Sequence, residues 1–138
     1  MKKFAFKGAY FTVNIILAGV ILLIMGYSVY YSPDKNDYPV VCFHEKITGQ
    51  PCPSCGLSHA FSLIVRGRFD EAIMWNQYSV RVFIFFLVQF IIRLVMVAYI
   101  YRKVVVAPFV PYLDATISII MVIAAFYPFL LLEWRMLF

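Results

Sequence analysis

The sequence predicts an all-α integral membrane protein with three transmembrane helices. A short helical hairpin, partly inserted or interfacial, is expected between the first and second spans. Three observations carry this. Hydrophobic residues make up 64% of the 138-residue chain and charged residues 14%, and mean hydropathy is +0.86; soluble domains run near roughly 45–50% apolar and about 25% charged. Three apolar stretches, at 10–31, 78–101 and 110–132, are each long enough at about 1.5 Å per residue to cross a hydrocarbon core of about 30 Å. A fourth apolar run, Gly56 to Val65, is too short to cross.

The first span, 10–31, carries no ionisable group except tyrosine phenols. Met1-Lys2-Lys3 resembles the start of a secretory signal, but the apolar run exceeds an h-region of about 7–15 residues and no A-x-A-like site closes it. It is therefore expected to be retained. Asn14 near its start is expected to bond to backbone or to another helix.

Residues 32–56 form a polar, turn-rich stretch that holds all three cysteines, Cys42, Cys52 and Cys55. Residues 57–77 are expected to be short re-entrant or interfacial helices, with Arg66-Gly67-Arg68 as the turn and Asp70 and Glu71 opening the second helix. The second span, 78–101, is stopped by Arg102-Lys103 and contains Gln89 and Arg93, four residues apart on one helical face. Arg81, eight residues before Gln89, is assigned to the same stripe. An arginine this deep in a span faces protein or water, or snorkels to the interface, and is a candidate functional residue by default. Pro108 and Pro111 mark the entry to the third span, 110–132, and Pro128 is expected to loosen its last turns. Asp114 is placed in the first turn, where the helix dipole favours a carboxylate; a pathway role is the alternative. Glu133-Trp134-Arg135 reads as an interfacial anchor. The whole of 1–138 is one membrane domain.

The net charge of +5 arises from residues at the ends of apolar stretches, which suits snorkelling anchors. No basic face of the kind nucleic acid needs is visible. Positive charges divide almost evenly between the two sides, and the leading Lys cluster favours a cytoplasmic N-terminus with an extracytoplasmic Cys loop. The location expected is the bacterial inner membrane.

Cys52-Pro-Ser-Cys55-Gly56 admits three chemistries. In the first, Cys52 is a helix N-cap with Pro53 at the first helical position, and Cys55 lies in the first turn. The helix dipole would then lower both thiol pKa values, as a dithiol redox centre needs, with Cys42 resolving. In the second, Cys42, Cys52 and Cys55 bind zinc with His59, four residues after Cys55, or His44 as fourth ligand. In the third, a disulfide staples the loop and leaves one thiol over. A c-type haem is disfavoured because Gly56, not His, follows Cys55.

The run Cys42…Thr48-Gly49-Gln-Pro-Cys52-Pro-Ser-Cys55-Gly56-Leu-Ser-His59-Ala60, followed by Arg66-Gly67-Arg-Phe-Asp-Glu-Ala72 and Asn76, resembles the bacterial domain-of-unknown-function 2752 family of small CPxCG membrane proteins. The family pattern is an upstream Cys, then T-G-x-x-C-P-x-C-G-[LM]-[ST]-R-A, a glycine step and an Asn opening the next span. The resemblance covers 42–76 and implies a few-span membrane protein without assigning an activity. It carries over the three cysteines, with Gly49, Gly56, Gly67 and Asn76 as structural positions. Gly49 and Gly67 suit tight turns, and Gly56 close packing. His59 stands where the family has Arg, which weakens it as a ligand.

The reading that results favours a binding or accessory module over an enzyme and leaves the enzyme question open. Its Cys loop forms a metal- or disulfide-stabilised knuckle at the membrane surface, and its partners are lipid and another membrane protein or a second copy, with no nucleic acid. Zinc is the one cofactor in prospect. The alternatives are a membrane thiol–disulfide oxidoreductase using Cys52 and Cys55, and a small oligomeric transporter or channel subunit with Arg93 and Asp114 on the pathway. In the accessory reading, a polar stripe through Arg81, Gln89 and Arg93 is the lateral contact.

Overall fold

In the computed structural model the described residues are 2–32, 54–102 and 106–137, with side chains described from Gly8 to Phe129 within those ranges and at Leu131. Cys42, His44, Gly49 and Cys52 lie outside them, as do the side chains of Glu133, Trp134 and Arg135.

The described residues form five α-helices: α1 (Lys2–Tyr30), α2 (Leu57–Val65), α3 (Phe69–Trp75), α4 (Ser79–Arg102) and α5 (Phe109–Leu137). Three contain segments long and apolar enough to cross a membrane, at Gly8–Tyr30, Ser79–Arg102 and Phe109–Phe129. Most of their side chains face outward, including Leu23, Val95 and Ile120, as expected where the surroundings are hydrocarbon rather than water. The short hairpin expected between the first two spans is present as α2 and α3. Pro111 falls within the first turn of α5, where no intrahelical N–H is needed. The helix then runs on through Pro128.

Helix α4 is central. α1 packs along it, α5 packs against it elsewhere, and the α2–α3 hairpin seats on both α1 and α4 at one end. α1 and α5 have little direct backbone proximity, so a furrow remains between them with α4 as its floor.

The core lies beneath the hairpin. Ala60, Phe61, Leu63 and Ile64 of α2, Ala72 of α3 and Val82 of α4 form a buried cluster. Phe61 meets Phe83 and Phe86 edge-on, with ring centroids 5.4 and 6.0 Å apart, the geometry that aromatic quadrupoles favour. The turn between α2 and α3 is a glycine cap. Gly67 has φ +78°, its N–H donates to the Ile64 carbonyl (2.9 Å), and the Arg68 N–H donates to the Leu63 carbonyl (3.0 Å). These paired bonds satisfy carbonyls that the helix end leaves orphaned, which is the tight turn expected at Gly67. Arg66 caps a second helix at the same place. Its Nη1 donates to the Ser62 and Ser28 carbonyls and its Nη2 to the Val29 carbonyl. A cation thus sits on the negative end of α1, which locks the hairpin to the end of the first span.

Gly56 is the second position that requires glycine. It is the N-cap of α2, with φ +79°, and a Cβ there would approach the Trp75 carbonyl oxygen to 3.0 Å. Gly56→Ala is therefore expected to cost about 1–3 kcal/mol, from left-handed strain together with a backbone clash. Gly67→Ala, where a Cβ would meet open space, is expected to cost about 1 kcal/mol. Thermal unfolding of the two variants in detergent, read by circular dichroism, checks the order.

Candidate functional site

Two groupings of polar residues stand out, one at each end of the bundle. The first surrounds Cys55. Because α2 begins at Leu57 with Gly56 as N-cap, Cys55 lies in the turn before the helix, not in its first turn. This corrects the expectation of a helix starting at Cys52, and with it the placing of Cys55 and His59 on one helical face. The chain turns at Ser54, whose carbonyl accepts the Leu57 N–H (3.3 Å), because the positive φ at Gly56 breaks the helical path. His59 stacks on Trp75, with ring centroids 3.9 Å apart at 30°. Cys55 is disulfide-bonded. Its carbonyl accepts a hydrogen bond from Asn76 Nδ2 (3.0 Å), while Asn76 Oδ1 accepts the Tyr78 N–H (2.9 Å). Asn76 therefore opens the next span, as the family pattern implied, and also ties the end of the Cys loop to it. Ser79 Oγ donates to the Ala72 carbonyl (3.2 Å) and completes the junction.

The second grouping lies inside the spans. Arg93 is 4% exposed and Asp114 5%, and they form an ion pair in which Arg93 Nη1 donates to Asp114 Oδ2 (2.8 Å) and Nη2 to Oδ1. Two parallel bonds of this kind are among the strongest polar contacts available to a side chain. Asn14 Oδ1 accepts from Arg93 Nη1 (2.8 Å), and Ser118 Oγ accepts from Nη2 (2.8 Å). The Tyr10 hydroxyl donates to Asp114 Oδ2 (2.7 Å), and Gln89 Oε1 lies 3.4 Å from Arg93 Nη2. All three spans contribute.

Depth explains why these residues meet. From Gly8 to Asn14 the helix rises about 9 Å, from Arg102 back to Arg93 about 14 Å, and from Phe109 to Asp114 about 8 Å. These are comparable depths measured from the same end of the bundle. Asp114 is thus neither an N-terminal dipole cap nor in the first turn of α5, whose first turn holds no acidic residue. Arg93 does not snorkel. Asn14 bonds both to backbone, through Nδ2 to the Tyr10 carbonyl (2.9 Å), and to another helix, as expected. The stripe expected through Arg81 is corrected too: Arg81 is exposed, whereas Gln89 and Arg93 are buried. Eight helical residues advance about 800°, some 80° past two full turns, so Arg81 leaves the face the other two share.

Above this cluster the furrow between α1 and α5 opens into a groove of about 570 Å³. It is lined by Tyr10, Val13, Leu17, Val20, Ile21 and Ile24 of α1, by Phe85, Phe86, Gln89 and Arg93 of α4, and by residues from Pro111 to Val122 of α5. A second groove of about 530 Å³, bordered by Tyr27, Ser28, Leu57, Ser58 and Phe61, shares Ile24 and Phe86 with it. Arg93 Nε is buried and donates to nothing among the described residues.

The fold and these sites define a multi-pass helical membrane protein with a hairpin wedged between its first two spans. Residues 42–90 match the family model described as "Protein of unknown function (DUF2752)", so this part of the chain is similar to the domain-of-unknown-function 2752 family. The match bears out the resemblance to that family. It also extends past Asn76 into α4 as far as Phe90, and so includes Gln89 but neither Arg93 nor Asp114. No curated protein and no solved structure matches the chain.

The buried grouping sets a clear contrast between a buried polar side chain on α1 and an exposed one on α4. Asn14→Leu removes an acceptor from Arg93 and is expected to lower bundle stability by about 0.6–2 kcal/mol. Arg81→Met, at an exposed site, is expected to stay within about 0.5 kcal/mol of the parent. Denaturant titration in mixed micelles measures both.

Proposed function

We propose that the chain is a membrane-embedded binding or accessory module whose Cys loop forms a disulfide-stabilised knuckle, seated where the first span ends and the second begins. The partner in this reading is another membrane protein or a second copy of the chain. The observation that carries it is that Cys55 is disulfide-bonded while its backbone is pinned to the head of α4 by Asn76, and its neighbour Gly56 leaves no room for a Cβ beside the Trp75 carbonyl. In this reading the anchoring of the loop's end at Cys55 lowers the ordering cost that binding would bear. Beside it α3 exposes Phe69, Ile73, Met74 and Trp75, an apolar face suited to a membrane surface or a membrane partner.

A sulfur in a disulfide offers no thiolate to zinc, and His59 stacks on Trp75. Both favour the disulfide form of the knuckle over a site built from Cys42, Cys52, Cys55 and His59. A stable disulfide also fits an oxidising compartment, which supports an extracytoplasmic loop and a cytoplasmic N-terminus in a bacterial inner membrane. The oxidoreductase reading rests on the same bond, since it would be the oxidised state of a redox pair. The two differ in potential: structural disulfides lie below about −300 mV, and catalytic ones are more readily reduced.

Intact-mass measurement before and after reductant tests the knuckle. The protein as purified should be lighter than the reduced form by the two thiol hydrogens, with one of its three cysteines open to maleimide, and chelator should change nothing. Reduction should lower stability by about 2–4 kcal/mol, as expected for a loop-closing disulfide. Three alkylatable thiols without reductant, or a zinc ion retained per chain, would remove this reading. A potential well above about −300 mV would transfer it to the oxidoreductase.

A further inference from the structure

A further groove, of about 500 Å³, opens between α1, the α2–α3 turn and α4, and shares no residue with the furrow between α1 and α5. Its shallow end is formed by Val29, Val65, Phe69 and Val80, and Ile84 and Leu87 carry it down α4. Val29 and Val80 each lie one residue inside the ends of the apolar segments Gly8–Tyr30 and Ser79–Arg102, so this end is at the headgroup level. From Val80 to Leu87 the wall descends about 10 Å. Two arginines border the shallow end. Arg66 follows Val65 and donates from Nη2 to the carbonyl of Val29, a lining residue. Three of its five N–H groups go to the neutral carbonyls of Ser28, Ser62 and Val29, which leaves Nε–H and one Nη2–H without an acceptor among the described residues. Arg81 follows Val80 and stands one turn before Ile84, both in the lining. Both arginines are exposed. Neither has a carboxylate among the described residues, since Glu71 is paired with Arg68, Asp114 with Arg93, and Asp70 bonds to neither.

We propose that this groove binds one anionic phospholipid of the leaflet on the hairpin side, with its phosphate on Arg66 and Arg81 and one acyl chain along α4. The anion follows from charge. Two guanidiniums without a counter-ion stand where headgroups meet hydrocarbon, and basic pockets between spans bind acidic heads. Phosphate oxygens accept from a guanidinium side by side, and Arg66 has two N–H groups to give. Its side chain is already held by three carbonyls, so little freedom is left to lose on binding. A zwitterionic head brings its own cation and matches two arginines less well. The chain follows from the wall beneath, which is apolar and outward-facing at Val29, Val65, Phe69, Ile84 and Leu87. In hydrocarbon such a wall gives the chain a place but no driving force, so selectivity resides in the head. This lipid contact is independent of the Cys loop.

A second copy of the chain fits less well. Its apolar span segments hold one acidic residue, Asp114, which is buried and paired. Packed span to span, it would cover both guanidiniums without supplying a counter-charge, and uncompensated charge is costly to desolvate. The wall is also built of Val, Ile, Leu and Phe, whereas helices associate in membranes through small residues that let backbones approach.

Native mass spectrometry of the delipidated full chain, titrated with dioleoylphosphatidylglycerol or dioleoylphosphatidylcholine, tests the proposal. One phosphatidylglycerol should bind about tenfold more tightly than phosphatidylcholine, and glycerol 3-phosphate should not displace it. Arg81→Gln should weaken phosphatidylglycerol about tenfold, the order expected for one charge-assisted hydrogen bond, and leave phosphatidylcholine unchanged; Arg81→Lys should restore part of the loss. Ile84→Trp fills the groove below the head and should weaken binding while the thermal transition stays intact. In phosphatidylcholine nanodiscs, a phosphatidylglycerol with a diazirine in its acyl chain should label residues 25–29 of α1 and 80–87 of α4. Equal affinity for the two lipids, displacement by glycerol 3-phosphate, binding indifferent to Arg81→Gln or to Ile84→Trp, or groove residues cross-linked between two copies would each overturn the proposal.

Discussion

A guanidinium and a carboxylate cannot be left apart in hydrocarbon, and the arrangement of the three spans depends on bringing Arg93 and Asp114 together. Each group alone would face a solvation cost of several kcal/mol that no lipid tail can offset. Paired side to side, and further bonded by Asn14, Ser118 and Tyr10, they become a neutral, largely satisfied unit. Because the partners come from α1, α4 and α5, satisfying the pair fixes the rotation of all three helices about their axes. It also explains how α1 and α5 can be held in register with little backbone proximity: the polar bridge sets their separation, and the furrow is what that separation leaves.

The opposite end of the bundle is held by different means. There the hairpin fills the space between the spans, with Arg66 on the last carbonyls of α1, Asn76 between Cys55 and the head of α4, and Phe61 against Phe83 and Phe86. Backbone capping and aromatic packing do at this end what the ion pair does at the other. The groove between α1 and α5 runs between two fixed ends, so its walls have few ways to close.

Much of this is legible in the residues. Span number and approximate limits follow from hydropathy and length. The turn at Gly67, the short α3 opened by Asp70 and Glu71, and the role of Asn76 follow from glycine chemistry, charge placement and the family pattern. The start of α2 does not, because Pro53 makes Cys52 resemble an N-cap, whereas the positive φ at Gly56 places the cap three residues past Pro53. The intramembrane cluster is legible only in fragments. Asn14, Gln89 and Arg93 each stand out as polar groups in apolar spans, but local rules reward a carboxylate at a helix end and so misplace Asp114. Its true partner is 21 residues away on another helix. The telling signal is depth: counted from the span ends on one side, Asn14, Arg93 and Asp114 fall at comparable levels, and no local periodicity reports that. The unpaired Nε and the groove have no sequence signature at all, since both are products of packing.

The most direct test of the account is a double-mutant cycle on the ion pair, with Arg93→Leu, Asp114→Leu and the double variant unfolded by steric trapping in bilayer discs. Each single variant strands a buried charge and should lose about 3–5 kcal/mol. The double variant should recover most of that loss, giving a coupling energy well above about 0.5 kcal/mol. Additive losses, or single variants as stable as the parent, would show that the spans are organised by something other than this pair.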